Sequence, residues 1–250
     1  MEATADGMPA EKTVRLSELE RSDLSRRNDR ILCENQWRRK PEGFRCTSIT
    51  DLIRENRLSK YLVVEIGCGD RGFDQKGSIG SGYVGVDISM TALRAAKRSF
   101  PRAEFVNADA RMLPFRDGSI DVTVCRENDA VLRTDLYHAI REMSRATSGV
   151  AIFSVSDRGM FKGKMEPNKE FMEIEADHCL LIAPLKDGRA RLDEGMPYFS
   201  AESVKSMAME LGLRFVETNS KVIDGRNVKG VASITVFAAK EEGALNVVWE

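Results

Sequence analysis

The stretch that decides the fold is an apolar run followed by three glycines, Val63-Val64-Glu65-Ile66-Gly67-Cys68-Gly69-Asp70-Arg71-Gly72. The run Tyr61–Ile66 is compact and apolar, which predicts a buried strand. The glycines that follow have the spacing G-x-G-x-x-G, so the backbone can turn tightly and approach a nucleotide-sized ligand without an intervening Cβ. This pattern alone is weak, because dinucleotide-binding folds use the same spacing.

Three carboxylates beside predicted strand ends make the pattern more specific. Glu65 stands two residues before the first glycine, where it can reach a cation near the strand end. Asp87 closes a second predicted strand, Tyr83–Val86, in a position to accept hydrogen bonds from two ribose hydroxyls and to face an open cleft. Asp109 follows a third predicted strand, Glu104–Asn107, where a carboxylate can accept from an adenine amino group. These residues predict a nucleotide-like cofactor.

Helices and strands alternate along most of the chain. Further strands are predicted at Ile120–Cys125, Val150–Val155, 213–218 and Val231–Ala239. Helices are predicted at 48–58, Met90–Phe100 with Ser89 as its cap, about 135–146, and from a Ser200 cap to Leu211. Such alternation implies an α/β fold with a mostly parallel sheet and right-handed crossovers.

Taken together, these motifs resemble those of the class I S-adenosylmethionine-dependent methyltransferases. Glu65-x-Gly67-x-Gly69 is similar to their first motif, Gly85–Ser89 to their second and Asp109-Ala110 to their third, while Ile120–Cys125 resembles the strand that carries their fourth. The resemblance covers roughly 60–155 and 198–240. It implies a Rossmann-like, seven-stranded, mostly parallel sheet with helices on both faces and an antiparallel last strand.

The resemblance also implies the cofactor, S-adenosyl-L-methionine, and a set of residues that bind it. These residues are Glu65, Gly67, Cys68, Gly69, Asp87, Ile88, Ser89, Asp109, Ala110 and Cys125. Cys68 is interpreted as the small residue that fits the loop, with its backbone N–H as the useful group. The chain departs from the family where Asp70-Arg71 precede Gly72, and the glycine-rich segment 72–82 is a poor helix former. Whether that segment is ordered stays open.

Glu127 is the candidate catalytic residue, because it follows a central strand at the edge where open α/β sheets bind ligands. Its carboxylate can accept a proton from an amine or hydroxyl nucleophile, or hold a cationic substrate. The alternative is a helix-start carboxylate favoured by the helix dipole. The residues leave both interpretations open.

Composition narrows the partners and the compartment. The 250 residues include 38 Lys and Arg against 39 Asp and Glu, a net charge of -1, which argues against a whole-molecule nucleic-acid binder. The basic segment 26–45 keeps RNA as a minor candidate partner. No apolar run approaches membrane-spanning length, which favours no membrane partner. Five cysteines without a C-x-x-C pair and two histidines predict no metal site and a reducing, cytoplasmic location.

The chain is divided into a polar N-terminal segment 1–46, a candidate part of the substrate cap, a methyltransferase domain 47–240 and a C-terminal tail 241–250. Within the domain, 156–199 is rich in Gly, Pro and aromatic residues, which is typical of a lid or an added subdomain.

The function that the resemblance implies is methyl transfer to an acceptor, with a small molecule preferred to a protein and a protein to RNA. One alternative is a nicotinamide-dependent oxidoreductase, which explains Gly67, Gly69, Gly72 and Asp87 but not Glu65 or Asp109. Another is a catalytically degenerate binding partner of a second subunit. The sequence leaves open the atom methylated, the need for a general base and the oligomeric state.

Overall fold

The computed structural model describes residues 58–70, 82–125, 136–157, 171–176, 179–186, 189–190, 196–225 and 228–241. Several predictions of the sequence lie outside these residues: the segment 1–46, the helix at 48–58 except for a 3-10 turn at Leu58–Lys60, nearly all of the glycine-rich segment, Glu127, and the tail beyond 241.

Seven strands form the main sheet. They are β1 (Val63–Ile66), β2 (Tyr83–Asp87), β3 (Glu104–Asn107), β4 (Ile120–Cys125), β5 (Thr147–Ser156), β10 (Phe215–Gly225) and β11 (Val228–Ala239). Their order is β10-β11-β5-β4-β1-β2-β3. Strands β1 to β5 pair in parallel, and β11 runs antiparallel to both β5 and β10. The predicted seven-stranded sheet with an antiparallel last strand is confirmed.

The last two strands are longer than predicted. Strand β10 continues past the expected end at residue 218 to Gly225, and β11 starts at Val228 instead of Val231. The pairing of β11 with β5 begins at Ser233 and Ser156, so residues 228–232 pair with β10 alone. The two strands of a hairpin hydrogen-bond to each other, so the hairpin can extend past the carboxyl edge of the parallel strands without a third strand beside it.

Within the described ranges three α-helices accompany the sheet: α1 (Met90–Ser99), α2 (Leu136–Ala146) and α3 (Ala201–Glu210). The predicted cap of α1 is confirmed, since the Ser89 hydroxyl accepts from the N–H of Ala92 at 3.1 Å. Ser200 caps α3 in a reciprocal pair with Ser203, each hydroxyl accepting from the other residue's N–H at 3.0 Å. These caps satisfy N–H groups that a helix start leaves unpaired.

Apolar side chains pack on both faces of the sheet. On one face, Ile140 and Met143 of α2 and Met207 of α3 pack with Phe153 of β5. On the other, Phe100 at the end of α1 belongs to a second cluster that includes strand residues of β1, β2, β4 and β5. Because side chains alternate along each strand, the strands contribute residues to both clusters. Residues of α2 and α3 belong to the first cluster and Phe100 at the end of α1 to the second, so the prediction of helices on both faces is confirmed.

Between β5 and α3 the chain forms a second, antiparallel sheet. Its strands are β6 (Phe171–Ala176), β7 (Cys179–Lys186), β8 (Arg189–Ala190) and β9 (Met196–Tyr198), and β7 pairs with each of the other three. The N–H of Phe199 donates to the carbonyl of Ser156 at 2.9 Å, which joins the two ends of the insertion. The insertion therefore departs from and returns to the carboxyl edge of the main sheet. A role as lid stays a prediction.

Candidate cofactor site

The glycine turn after β1 has the backbone conformation that its sequence requires. Gly67 and Gly69 have φ values of 72° and 62°, in the left-handed region that residues with a Cβ rarely adopt. The N–H groups of Gly67 and Cys68 both donate to the carbonyl of Val86, at 2.7 and 3.0 Å. The turn is thereby fixed against the end of β2. The N–H of Cys68, interpreted from the sequence as the useful group, is used inside the protein.

Gly85 of β2 makes room for this turn. A Cβ at Gly85 would lie 2.7 Å from the ring of Phe105 and 2.8 Å from Sγ of Cys68, closer than real Cβ contacts. Cys68 is buried, and its thiol contacts the carbonyl of Gly69 at 3.6 Å. The sequence marks Gly85 as part of a motif, whereas the structure gives the steric reason for it.

Asp87 supports the turn and the start of α1 with one carboxylate. Its Oδ2 accepts from the N–H of Gly69 at 2.8 Å, and its Oδ1 accepts from the N–H of Ser89 at 2.8 Å. The side chain is buried, with 7% of its surface exposed, so the expectation of a carboxylate standing in an open cleft is wrong. A carboxylate oxygen can accept more than one hydrogen bond, which is the property that binding of ribose hydroxyls would require.

Glu65 is buried in β1 with a tyrosine as its donor. The hydroxyl of Tyr83 donates to Oε2 of Glu65 at 2.6 Å, and the ring of Tyr83 meets Phe105 edge to face at 6.3 Å. Sequence reasoning missed Tyr83. The contact follows from strand pairing, because side chains alternate along paired strands and the register of β2 with β1 puts Tyr83 on the Glu65 face; the sequence alone does not give that register.

Asp109 follows β3 and is bound by Arg111. The Nε and backbone N–H of Arg111 both donate to Oδ1 at 2.9 Å, and Nη2 donates to Oδ2 at 2.6 Å. Burial by itself would raise the pKa of Asp109, but the hydrogen bonds and charge of Arg111 outweigh it and hold that pKa below its usual value. The carboxylate is therefore ionised at neutral pH, and its Oδ2 has a second lone pair for an adenine amino group, whereas Oδ1 already accepts twice.

Asn107, at the end of β3, joins that strand to the residues after β2. Its Nδ2 donates to the carbonyls of Asp87 and Ile88, both at 2.9 Å. Sequence reasoning did not single out Asn107. It fixes the two strand exits relative to each other, since one amide holds two consecutive carbonyls of the neighbouring segment.

Cys125 closes β4 inside the core. Burial, helped by the nearby charges of Glu65 and Asp87, raises the pKa of its thiol to about 12. The thiol is therefore neutral at physiological pH and suits packing rather than nucleophilic chemistry. The electrostatic effect also shows that the ends of β1, β2 and β4 bring these three side chains together.

The remaining residues predicted to bind the cofactor are buried or half-buried where the structure describes them. Ser89 is buried as the cap of α1, Ala110 is buried in the core, and Ile88 is half-buried. Glu127 lies outside the described residues, so its catalytic role stays a prediction. In the described ranges no three His, Cys, Asp or Glu side chains come together as a metal site. The same ranges hold no helix long and apolar enough to cross a membrane.

A parallel sheet with a glycine turn after β1, and acidic residues at the exits of β2 and β3, is the arrangement of a Rossmann-like α/β fold. Residues 64–153 match the family model described as "Methyltransferase domain". Across 134 residues the chain is 28% identical to phthiotriol/phenolphthiotriol dimycocerosates methyltransferase 1 of Mycobacterium ulcerans, covering 52% of this chain and 46% of that protein.

A second relative is a probable S-adenosylmethionine-dependent methyltransferase of Mycobacterium tuberculosis, 32% identical over 126 residues, covering 49% of this chain and 43% of that protein. The solved 1,6-didemethyltoxoflavin-N1-methyltransferase of Burkholderia thailandensis has a TM-score of 0.55 at 14% identity, covering 91% of this chain and 92% of that one, and shows the shared fold. Over residues 64–153 the chain is similar to the methyltransferase domain of S-adenosylmethionine-dependent methyltransferases. It spans about half the length of the curated relatives it matches.

Proposed function

We propose that this protein transfers the methyl group of S-adenosyl-L-methionine to a small-molecule acceptor. The observation that carries the proposal is the bond between Asp87 and the N–H of Gly69, which joins the left-handed glycine turn to a buried, ionisable carboxylate at the next strand end. A turn without Cβ atoms beside such a carboxylate fits an adenosine ribose.

The residues present fit this cofactor by the chemistry of their carboxylates. Asp87 would hold the ribose hydroxyls, and Asp109 would accept from the adenine amino group through Oδ2, since Oδ1 already accepts twice from Arg111. The cofactor, when bound, supplies a methyl group that its sulfonium already makes electrophilic. The protein then needs mainly to align the acceptor and exclude water, and such alignment contributes roughly 7–11 kcal/mol of a barrier.

The preference for a small-molecule acceptor rests on charge and on the relatives. A net charge of -1 gives no general attraction for nucleic acid. The Mycobacterium ulcerans relative is named as a methyltransferase of phthiotriol and phenolphthiotriol dimycocerosates, which are neither proteins nor nucleic acids. The insertion of β6 to β9 leaves and rejoins the carboxyl edge of the sheet, beside which an acceptor would bind.

A cytoplasmic location is part of the same proposal. Cys68 and Cys125 are both buried as free thiols. Reduced cysteines of this kind suit a reducing compartment.

Titration calorimetry tests the cofactor, with S-adenosylhomocysteine and NADH as the two ligands. We expect S-adenosylhomocysteine to bind and NADH not to bind. Binding of NADH alone would favour the oxidoreductase instead. A folded protein that binds neither ligand would favour the degenerate binding partner.

The same titration on the variant Asp87→Asn tests the role of the carboxylate, and Glu104→Gln is its matched control. Glu104 is a mostly exposed carboxylate of β3, 3.7 Å from Lys97 Nζ, so its neutralisation changes the charge of the protein but not the turn. Loss of S-adenosylhomocysteine affinity in Asp87→Asn with no loss in Glu104→Gln is the expected pattern.

A further inference from the structure

Two charged residues in the last turns of α2 reach back to the segment that joins β3 to β4. Arg145 donates to Glu142 through Nε at 2.8 Å and through Nη2 at 2.8 Å. Its guanidinium also donates to the carbonyl of Phe115 at 2.8 Å, the carbonyl of Leu113 at 3.1 Å and the carboxylate of Asp117 at 2.6 Å. One arginine therefore contacts three residues of the connecting segment.

Glu142 completes the attachment. Its Oε2 accepts from the N–H of Leu113 at 2.8 Å, so both backbone groups of Leu113 are held by the pair. The carbonyl of Arg145 accepts from the N–H of Gly118 at 2.9 Å. The hydrogen bond from Arg145 lowers the pKa of Glu142, so the pair is ionised at neutral pH. Hydrogen bonds to charged groups are the stronger ones in proteins.

The segment held in this way begins with the candidate adenine residues. The N–H of Met112 donates to the carbonyl of Asp109 at 3.0 Å, closing a turn directly before Leu113. Ala110 and Leu113 are buried in the core on either side of Arg111 and Met112. The position of the Asp109 carboxylate is thus fixed from one side by β3 and from the other by α2.

We propose that the Glu142–Arg145 pair positions the turn Asp109–Met112 for the adenine ring and so sets the selectivity of the site for an adenine amino group. The proposal rests on the proposed function, because it assumes an adenosine cofactor. Neither residue would touch the cofactor; both act through Leu113 as positioning residues.

The test compares two ligands whose purine rings differ at C6 and at the adjacent N1, which carries a hydrogen in the inosine base. S-inosylhomocysteine has a carbonyl oxygen where S-adenosylhomocysteine has the adenine amino group, so it loses the hydrogen bond to Asp109. We expect the wild-type protein to prefer S-adenosylhomocysteine by about tenfold, as one hydrogen bond to a charged group allows. In Arg145→Met that preference should fall to near unity, mainly through weaker binding of S-adenosylhomocysteine.

Arg141→Met is the matched control, since Arg141 is an exposed arginine one turn earlier in the same helix. It should retain the tenfold preference. If Arg145→Met is too unstable for titration, Glu142→Gln keeps the shape of the pair while removing a charge, and should lower the preference by a few-fold.

The outcomes separate the two proposals. Equal weakening of both ligands, with the preference retained, would show a purely structural pair and overturn the inference. A wild-type protein that binds neither ligand would instead overturn the proposed function. Hydrogen exchange at the Leu113 and Gly118 amides supplies an independent readout, and exchange unchanged by Arg145→Met would also contradict the inference.

Discussion

At the scale of single residues, Asp87 combines the support of two backbone N–H groups with the ability to bind a ligand. Asp87→Ala leaves the N–H groups of Gly69 and Ser89 without their acceptor, at about 1–3 kcal/mol for each buried group that stays unpaired. We expect affinity for S-adenosylhomocysteine to fall at least about tenfold and the free energy of unfolding to fall as well.

Calorimetry and urea denaturation of the same Asp87→Ala preparation measure both effects. The exposed Glu104→Ala serves as the control and should change neither quantity appreciably, because surface ion pairs contribute little. Unchanged affinity together with lowered stability would end the assignment of Asp87 to the ribose.

Gly85 gives a second prediction, which concerns packing. In Gly85→Ala the new methyl group would collide with Phe105 and Cys68, so we expect a loss of about 1–3 kcal/mol in the free energy of unfolding. The double variant Gly85→Ala/Phe105→Leu should recover part of that loss, since it removes the ring. Failure of the second substitution to recover any stability would place the strain elsewhere.

Asp109 gives a prediction about pH. Its pKa is lowered in the folded protein below the unfolded value of about 3.9, so its stabilising contribution is full above that pH and disappears as the pH falls through the folded pKa. Removing the cation in Arg111→Met leaves burial, which raises the pKa. Urea denaturation between about pH 5 and 3 should therefore show a smaller loss of stability in Arg111→Met than in the wild type.

The sequence indicates the acidic and glycine positions of the site but not how they are supported. Gly67, Gly69, Asp87 and Asp109 stand in recognisable spacing because each follows a strand end. Tyr83 and Asn107 were not predicted, since their donors reach acceptors 18 to 20 residues away. Such contacts depend on strand register, which spacing along the chain does not specify.

At the scale of elements, capping and periodicity were sufficient to predict α1, α2, α3 and the parallel strands, whereas the helix predicted at 48–58 stays a prediction. The second sheet was not predicted, and prolines explain why. Pro184 lies in β7 and Pro197 in β9, although proline within an apolar run usually argues against a strand. Antiparallel pairing within the insertion outweighs this local preference.

The start of α3 provides a prediction for an element. Ser200→Ala removes the hydroxyl that accepts from the N–H of Ser203, so the free energy of unfolding should fall by about 1 kcal/mol. Ser206→Ala in the same helix is the control. The Ser206 hydroxyl is exposed, and its hydrogen bond to Glu210 is long, at 3.4 Å. Equal effects of the two substitutions in urea denaturation would contradict a capping role for Ser200.

At the scale of the whole molecule, the position of the insertion predicts that it gates the acceptor. If residues 171–198 close over the strand ends, their amides should exchange faster in the free protein than with S-adenosylhomocysteine bound. Mass-spectrometric hydrogen exchange measures this, with the amides of β4 as an internal reference that should stay protected in both states. Strong, equal protection of the insertion in both states would rule out gating.

The order of the strands in the sheet has a consequence for synthesis of the chain on the ribosome. Strand β5 emerges long before β11, its neighbour in the sheet, because residues 157–227 separate them. At roughly 5–20 residues per second, the apolar edge of β5 waits on the order of ten seconds for its partner. Unpaired apolar edges invite aggregation, so a nascent chain that stalls before β11 should be a preferred substrate for chaperones.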